Sequence, residues 1–121
     1  MKVQLQDQSV RLRLDEAELA RLLAGETVEN MTRFGGIEGW GMAVSLHGGD
    51  QPVLLEGGTF CRLVLPRSAV EALAARLPCR DGLPFDIALE DGSQLQLHFD
   101  VDVRDSVRQR GVTRRSTASS V

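Results

Sequence analysis

His98, Asp100 and Asp102 stand at i, i+2 and i+4 in one stretch of this chain. In an extended strand alternate side chains share a face, with neighbours on that face about 6–7 Å apart. A histidine beside carboxylates is a donor set that suits zinc, manganese or iron. These three residues are therefore the metal-ligand candidates. The spacing is wide for convergent ligands, so Asp86, Glu90 or Gln96 on a paired strand would have to assist. The competing reading, which strict alternation favours, is a solvated sheet face.

His47-Gly48-Gly49-Asp50 sets an imidazole and a carboxylate on one tight turn, a pairing that can orient a general base. Glycine-rich turns between strands are commoner than catalytic ones. Cys79 beside Arg80 is a candidate for a thiol activated by a neighbouring cation, although no histidine lies near it in sequence. Trp40, the only tryptophan, stands between glycines and is either a stacking platform for a ligand or a core anchor. Arg11 and Arg13, with Arg33 as a third member, form a short basic stripe able to hold a phosphate or carboxylate. The binding candidates are thus Trp40, His47, Arg11 and Arg13. No catalytic residue is assigned and no cofactor is expected, since the chain holds no dinucleotide, P-loop or H-E-x-x-H signature.

The elements that position these residues repeat. Arg11-Leu12-Arg13-Leu14 leads into Leu19, Leu22 and Ala24, and 51 residues later Arg62-Leu63-Val64-Leu65 leads into Val70, Leu73 and Ala75. Each reads as a strand running into a short amphipathic helix. Asp15 with Glu18, and Ser68 with Glu71, have the spacing of capping boxes. Strands are expected at 2–6, 9–14, 27–34, 40–46, 52–56, 59–65, 85–90 and 94–103, and helices at 16–24 and before Pro78. Poor alternation at 27–34 fits a bulge or an edge strand. Along 40–46, small residues alternate with large ones, so both faces of that strand are expected to be covered. The order is ββαββ twice. It predicts an α+β fold: a strongly curved or barrel-like, mainly antiparallel sheet of about eight strands with two short helices.

At 121 residues, with 42% hydrophobic and 26% charged, the chain suits one globular domain over 1–103, with halves at 1–50 and 51–103. No apolar run approaches the about 18 residues of a membrane span. The opening strand does not resemble a signal peptide, so a cytoplasmic protein without a membrane partner is expected. Two cysteines, Cys61 and Cys79, are expected as free thiols. The net charge of −3 is uneven. Residues 104–121 hold five arginines and one aspartate, leaving nine basic and sixteen acidic residues in the body. The acidic body repels nucleic acid, so only this Arg-rich end, expected to be disordered, could attract it.

The run Lys2-Val3-x-Leu5-x-x-x-Ser9-Val10-Arg11-Leu12-Arg13-Leu14, followed by an acid-capped helix, resembles a group of short bacterial proteins of unknown function. They open with a Lys-[Ile/Val] strand and a Ser-[Ile/Leu]-Arg-Leu-Arg-Leu strand. The similarity continues through Val28-Glu29 and through Leu55-Glu56-Gly57-Gly58-Thr59 into Val64-Leu65-Pro66, about the first two thirds of the chain. It departs at His98-Phe99-Asp100-Val101, where those proteins carry a lysine-aspartate-aromatic segment with a cysteine. The resemblance implies a small soluble bacterial domain and brings no activity, cofactor or site residue. The expected function is a non-enzymatic binding or assembly module whose partner is a second copy of itself. The alternatives are a small enzyme or metal-binding protein using His98, Asp100 and Asp102 or His47 and Asp50, and nucleic-acid association through 104–121.

Overall fold

A computed structural model describes residues 1–36 and 39–103 of the chain; the Arg-rich segment 104–121 lies outside them. Eight strands and two helices follow in the order β1 (Lys2–Gln6), β2 (Ser9–Asp15), α1 (Glu16–Leu23), β3 (Val28–Arg33), β4 (Gly39–His47), β5 (Val53–Gly57), β6 (Phe60–Pro66), α2 (Arg67–Ala75), β7 (Leu83–Ala88) and β8 (Gln94–Asp102). Among the described residues no helix is long and apolar enough to cross a membrane.

The fold is α+β, but the strands form neither a single sheet nor a closed or strongly curved one, and the antiparallel expectation holds in part: four strand pairings are antiparallel and two are parallel. The strands form two mixed four-stranded sheets. The end sheet, built from the two ends of the chain, has the order β1-β2-β8-β7; the middle sheet has the order β3-β4-β6-β5. In each, two antiparallel hairpins meet along a central parallel pair, β2 with β8 and β4 with β6. Alternation reveals which strands form hairpins and leaves the joining of hairpins open. Here each helix carries the chain out of one sheet and into the other, so the halves exchange hairpins instead of closing into a barrel.

The two sheets share one pairing scheme, register for register. Lys2 faces Arg13 and Ser9 faces Gln96 in the end sheet. Val53 faces Val64, 51 residues on from the first pair, and Phe60 faces Gly41 in the middle sheet. The later hairpins correspond at a spacing of 55, Val28–Val44 with Leu83–Phe99. Of the extra four residues, one lengthens α2 and three fall between α2 and β7.

Local chemistry explains the elements. Asp15 Oδ1 accepts from the Glu18 N–H at 2.7 Å, and Glu18 Oε1 accepts from the Asp15 N–H at 3.0 Å, so α1 begins with the expected capping box. Glu18 also pairs with the Met1 ammonium. Gly25, at φ +96°, ends α1 with the paired Gly25→Leu22 and Glu26→Arg21 bonds of a Schellman motif. The second capping box does not form. β6 runs into Pro66, which is itself the N-cap residue, and the helix starts at Arg67, placing Ser68 and Glu71 inside it. Arg67 Nη1 instead donates to the Leu23 carbonyl at the end of α1, 2.9 Å away, tying the helices together. The poor alternation of β3 belongs to an edge strand with unbroken register and no bulge.

Both sheets and both helices contribute to one core. Leu12, Leu14, Leu97 and Phe99 enter it from the end sheet, Val44, Leu63 and Leu65 from the middle sheet, and Leu22, Val70 and Leu73 from the helices. Each helix touches strands of both sheets. The faces that remain outside this core are where the sheets differ.

Candidate functional site

The outer face of the end sheet unites two groups that the sequence held apart. Parallel pairing sets Arg11 beside His98, Arg13 beside Asp100, and Asp15 beside Asp102. With β1 added, Gln4, Arg11 and His98 form one row across three strands, and Lys2, Arg13 and Asp100 form the next. Adjacent strands lie about 4.8 Å apart, so side chains within a row can reach a common group.

Asp100 is the hinge of this face. Its Oδ2 accepts from Arg11 Nε at 2.7 Å, and Arg13 Nη2 lies 3.9 Å away. Alternation places Asp100 on the water side of β8, yet it is only 5% exposed. The reason is the segment between α2 and β7. Gly82, at φ +66°, packs so closely on Asp100 that a side chain there would overlap Asp100 Oδ1 and the Phe99 carbonyl. Oδ1 is buried without a hydrogen-bond partner among the described residues. The same segment brings Arg80 and Asp81 over a cleft of about 390 Å³ that Gln4, Ser9, Arg11 and His98 also line.

The three metal-ligand candidates, His98, Asp100 and Asp102, thus share one face, with Asp100 turned to the arginines. Among the described residues no three histidine, cysteine or carboxylate side chains converge to hold a metal ion. His47 lies elsewhere and organises its own turn. Its Nδ1 accepts from the Gly49 N–H at 2.8 Å, which leaves the proton on Nε2 to donate to the Gln51 carbonyl at 2.7 Å. Both ring nitrogens are therefore engaged with backbone, and Asp50 takes no part. Trp40 is partly buried on the core side of β4 and packs against the central cluster. Cys61 and Cys79 are free and partly buried. Burial, and then the charge of Glu56, pushes the Cys61 thiol above its ordinary value.

A second surface was missed. The outer face of the middle sheet carries Met31, Val53 and Leu55, three of the five exposed large hydrophobic side chains, at 54%, 41% and 51% exposure. Phe60 and Val64 stand beside them on β6. Between the two ridges β4 shows only Gly41, Ala43 and Ser45. Met31 and the Phe60 ring close over Gly41, a sulfur–aromatic arrangement. Glu29, Ala43 and Arg62 form one row, with opposite charges either side of the alanine. The consecutive apolar residues of β5 and the small residues of β4 carried this signal, because a strand with apolar residues on both faces needs cover on both.

No curated protein and no solved structure matches the chain. A family model, described as a family of unknown function, matches residues 1–106. That span takes in every strand, both helices and both faces described above, so the chain belongs to the family of unknown function DUF7009.

Proposed function

We propose that this protein is a non-enzymatic assembly module of the bacterial cytoplasm that pairs with a second copy of itself through the outer face of the middle sheet. The observation that carries this reading is the apolar face on which Met31, Val53 and Leu55 are exposed beside half-buried Phe60 and Val64. Grouped exposed apolar side chains mark interaction sites. A second copy is the occupant because the charged row is self-complementary. A two-fold axis along β4 sets Glu29 of one copy over Arg62 of the other, and Met31 over Phe60. Two free, partly buried thiols suit a reducing compartment. The single shared core supports one domain over 1–103, and the repeated register supports reading 1–50 and 51–103 as two ββαββ units.

Light scattering on the purified chain, with and without 104–121, should give twice the chain mass in both cases. Leu55→Asp, at a half-exposed site that tolerates charge in the monomer, should halve that mass without changing the circular dichroism. Met31→Glu should do the same. A wild-type chain that stays monomeric at high concentration, or variants that remain dimeric, would sink the proposal.

A further inference from the structure

We infer that the cleft on the end sheet is a binding site for a small, hydroxylated phosphate monoester. Asp100 takes the Nε of Arg11 and leaves its terminal Nη groups without a partner among the described residues. That is the part of a guanidinium that grips an oxyanion with two parallel hydrogen bonds. Arg80 arrives from the segment between α2 and β7, exposed and with no ion-pair partner among the described residues. His98 stands in the same row as Arg11, one strand away, and is likewise unpartnered there. Two guanidiniums facing one space match the two charges of a phosphate monoester better than the single charge of a carboxylate.

The remaining lining is neutral or acidic: Gln4, Gln6, Ser9 and Asp81, with Val10 as the one apolar member. The polar side chains accept and donate hydrogen bonds, and the acceptor of Asp81 suits a hydroxyl group and repels a second phosphate. The ligand is therefore small enough for about 390 Å³, charged at one end and hydroxylated at the other. Asp100 acts as a positioning residue that aims Arg11 and does not touch the ligand. The corresponding rows of the middle sheet lack this equipment. There Leu55, Arg62 and Ala43 replace Gln4, Arg11 and His98.

Isothermal titration of the full chain with glycerol phosphate, inorganic phosphate, acetate and glycerol tests this. Glycerol phosphate should bind saturably at one site per chain, more tightly than phosphate, with acetate weaker still and glycerol silent. Removing one charge-assisted contact should weaken binding about tenfold or more. Arg80→Ala should show this loss with an unchanged melting temperature, because Arg80 is exposed. Arg62→Ala, on the other sheet, should bind as wild type. Absence of saturable glycerol phosphate binding, acetate binding as tight as phosphate, or binding untouched by Arg80→Ala would each overturn the assignment.

Discussion

The end sheet and the middle sheet have the same strand order, the same parallel centre and the same register. Toward the core they also carry like residues: Leu12 and Leu14 in one correspond to Leu63 and Leu65 in the other, all essentially without exposure. Toward the outside they diverge. Lys2, Gln4, Ser9 and Arg13 of the end sheet correspond to Val53, Leu55, Phe60 and Val64 of the middle sheet. His98 and Asp100 correspond to Ala43 and Ser45. One scaffold thus presents a polar, arginine-bearing face and an apolar one. The lesson is that core packing specifies the fold, while the outer faces are free to specialise.

The strongest test of that equivalence is in the core. Leu12→Ala and Leu63→Ala each empty a corresponding buried site, and each should cost about 2–5 kcal/mol. That is a large share of the about 5–15 kcal/mol that holds a domain together. Because both sheets contribute to one cluster, either variant should melt in a single transition involving both. Chemical denaturation followed by two probes, Trp40 fluorescence in the middle sheet and circular dichroism of the whole, checks this. Non-coincident transitions would mean that the sheets are independent units and would break the comparison.

The next test isolates the segment that covers Asp100. Gly82 and Gly58 share the same φ of +66°, one against the end sheet and one in the β5–β6 turn. An alanine at either position bears left-handed strain of about 1–2 kcal/mol. At 82 it must also displace Asp100 and the Phe99 carbonyl, whereas at 58 nothing lies within 4 Å. Gly82→Ala should therefore destabilise by about 2–4 kcal/mol and Gly58→Ala by about 1–2 kcal/mol. Equal losses in thermal or denaturant unfolding would show that the covering segment yields freely and does not hold Asp100.

Much of the fold was legible because hairpins and amphipathic helices are local. The turn at Asp91-Gly92 and the Asp15–Glu18 capping box rest on residues close in sequence, and the β5–β6 turn falls at Gly58-Thr59, one residue on from the Gly57-Gly58 expected. What escaped was long-range. Ser9 meets Gln96 across 87 residues, and nothing in either strand's pattern names that partner. For the same reason Arg11 and Arg13 read as one stripe and His98, Asp100 and Asp102 as another, although they form a single face. The burial of Asp100 was hidden as well, since it depends on Gly82 and not on β8 itself. Ser68–Glu71 misled because the capping spacing was present while Pro66 already ended the strand and took the N-cap position two residues before Ser68.

The finest test uses the one outward position at which the sheets agree. Arg11 and Arg62 occupy corresponding places on β2 and β6, one paired with His98 in register and the other with Ala43. Arg11 bonds a buried carboxylate at 2.7 Å. Arg62 forms no ion pair with the described residues, and Ser45 stands where Asp100 would be. Arg11→Gln leaves Asp100 buried with neither oxygen accepting its hydrogen bond. Half of the Arg11 side chain is in water, which reduces the worth of the pair below that of a sealed one. The expected loss is about 1–2 kcal/mol. Arg62→Gln should stay within about 0.5 kcal/mol of wild type in the monomer. Measuring both on the Met31→Glu background, which adds no charge in the Arg62 row, keeps self-association out of the result. Matching losses at the two sites would mean that Asp100 adds nothing to the end sheet beyond a solvated arginine, and the distinction between the two faces would then rest on hydrophobicity alone.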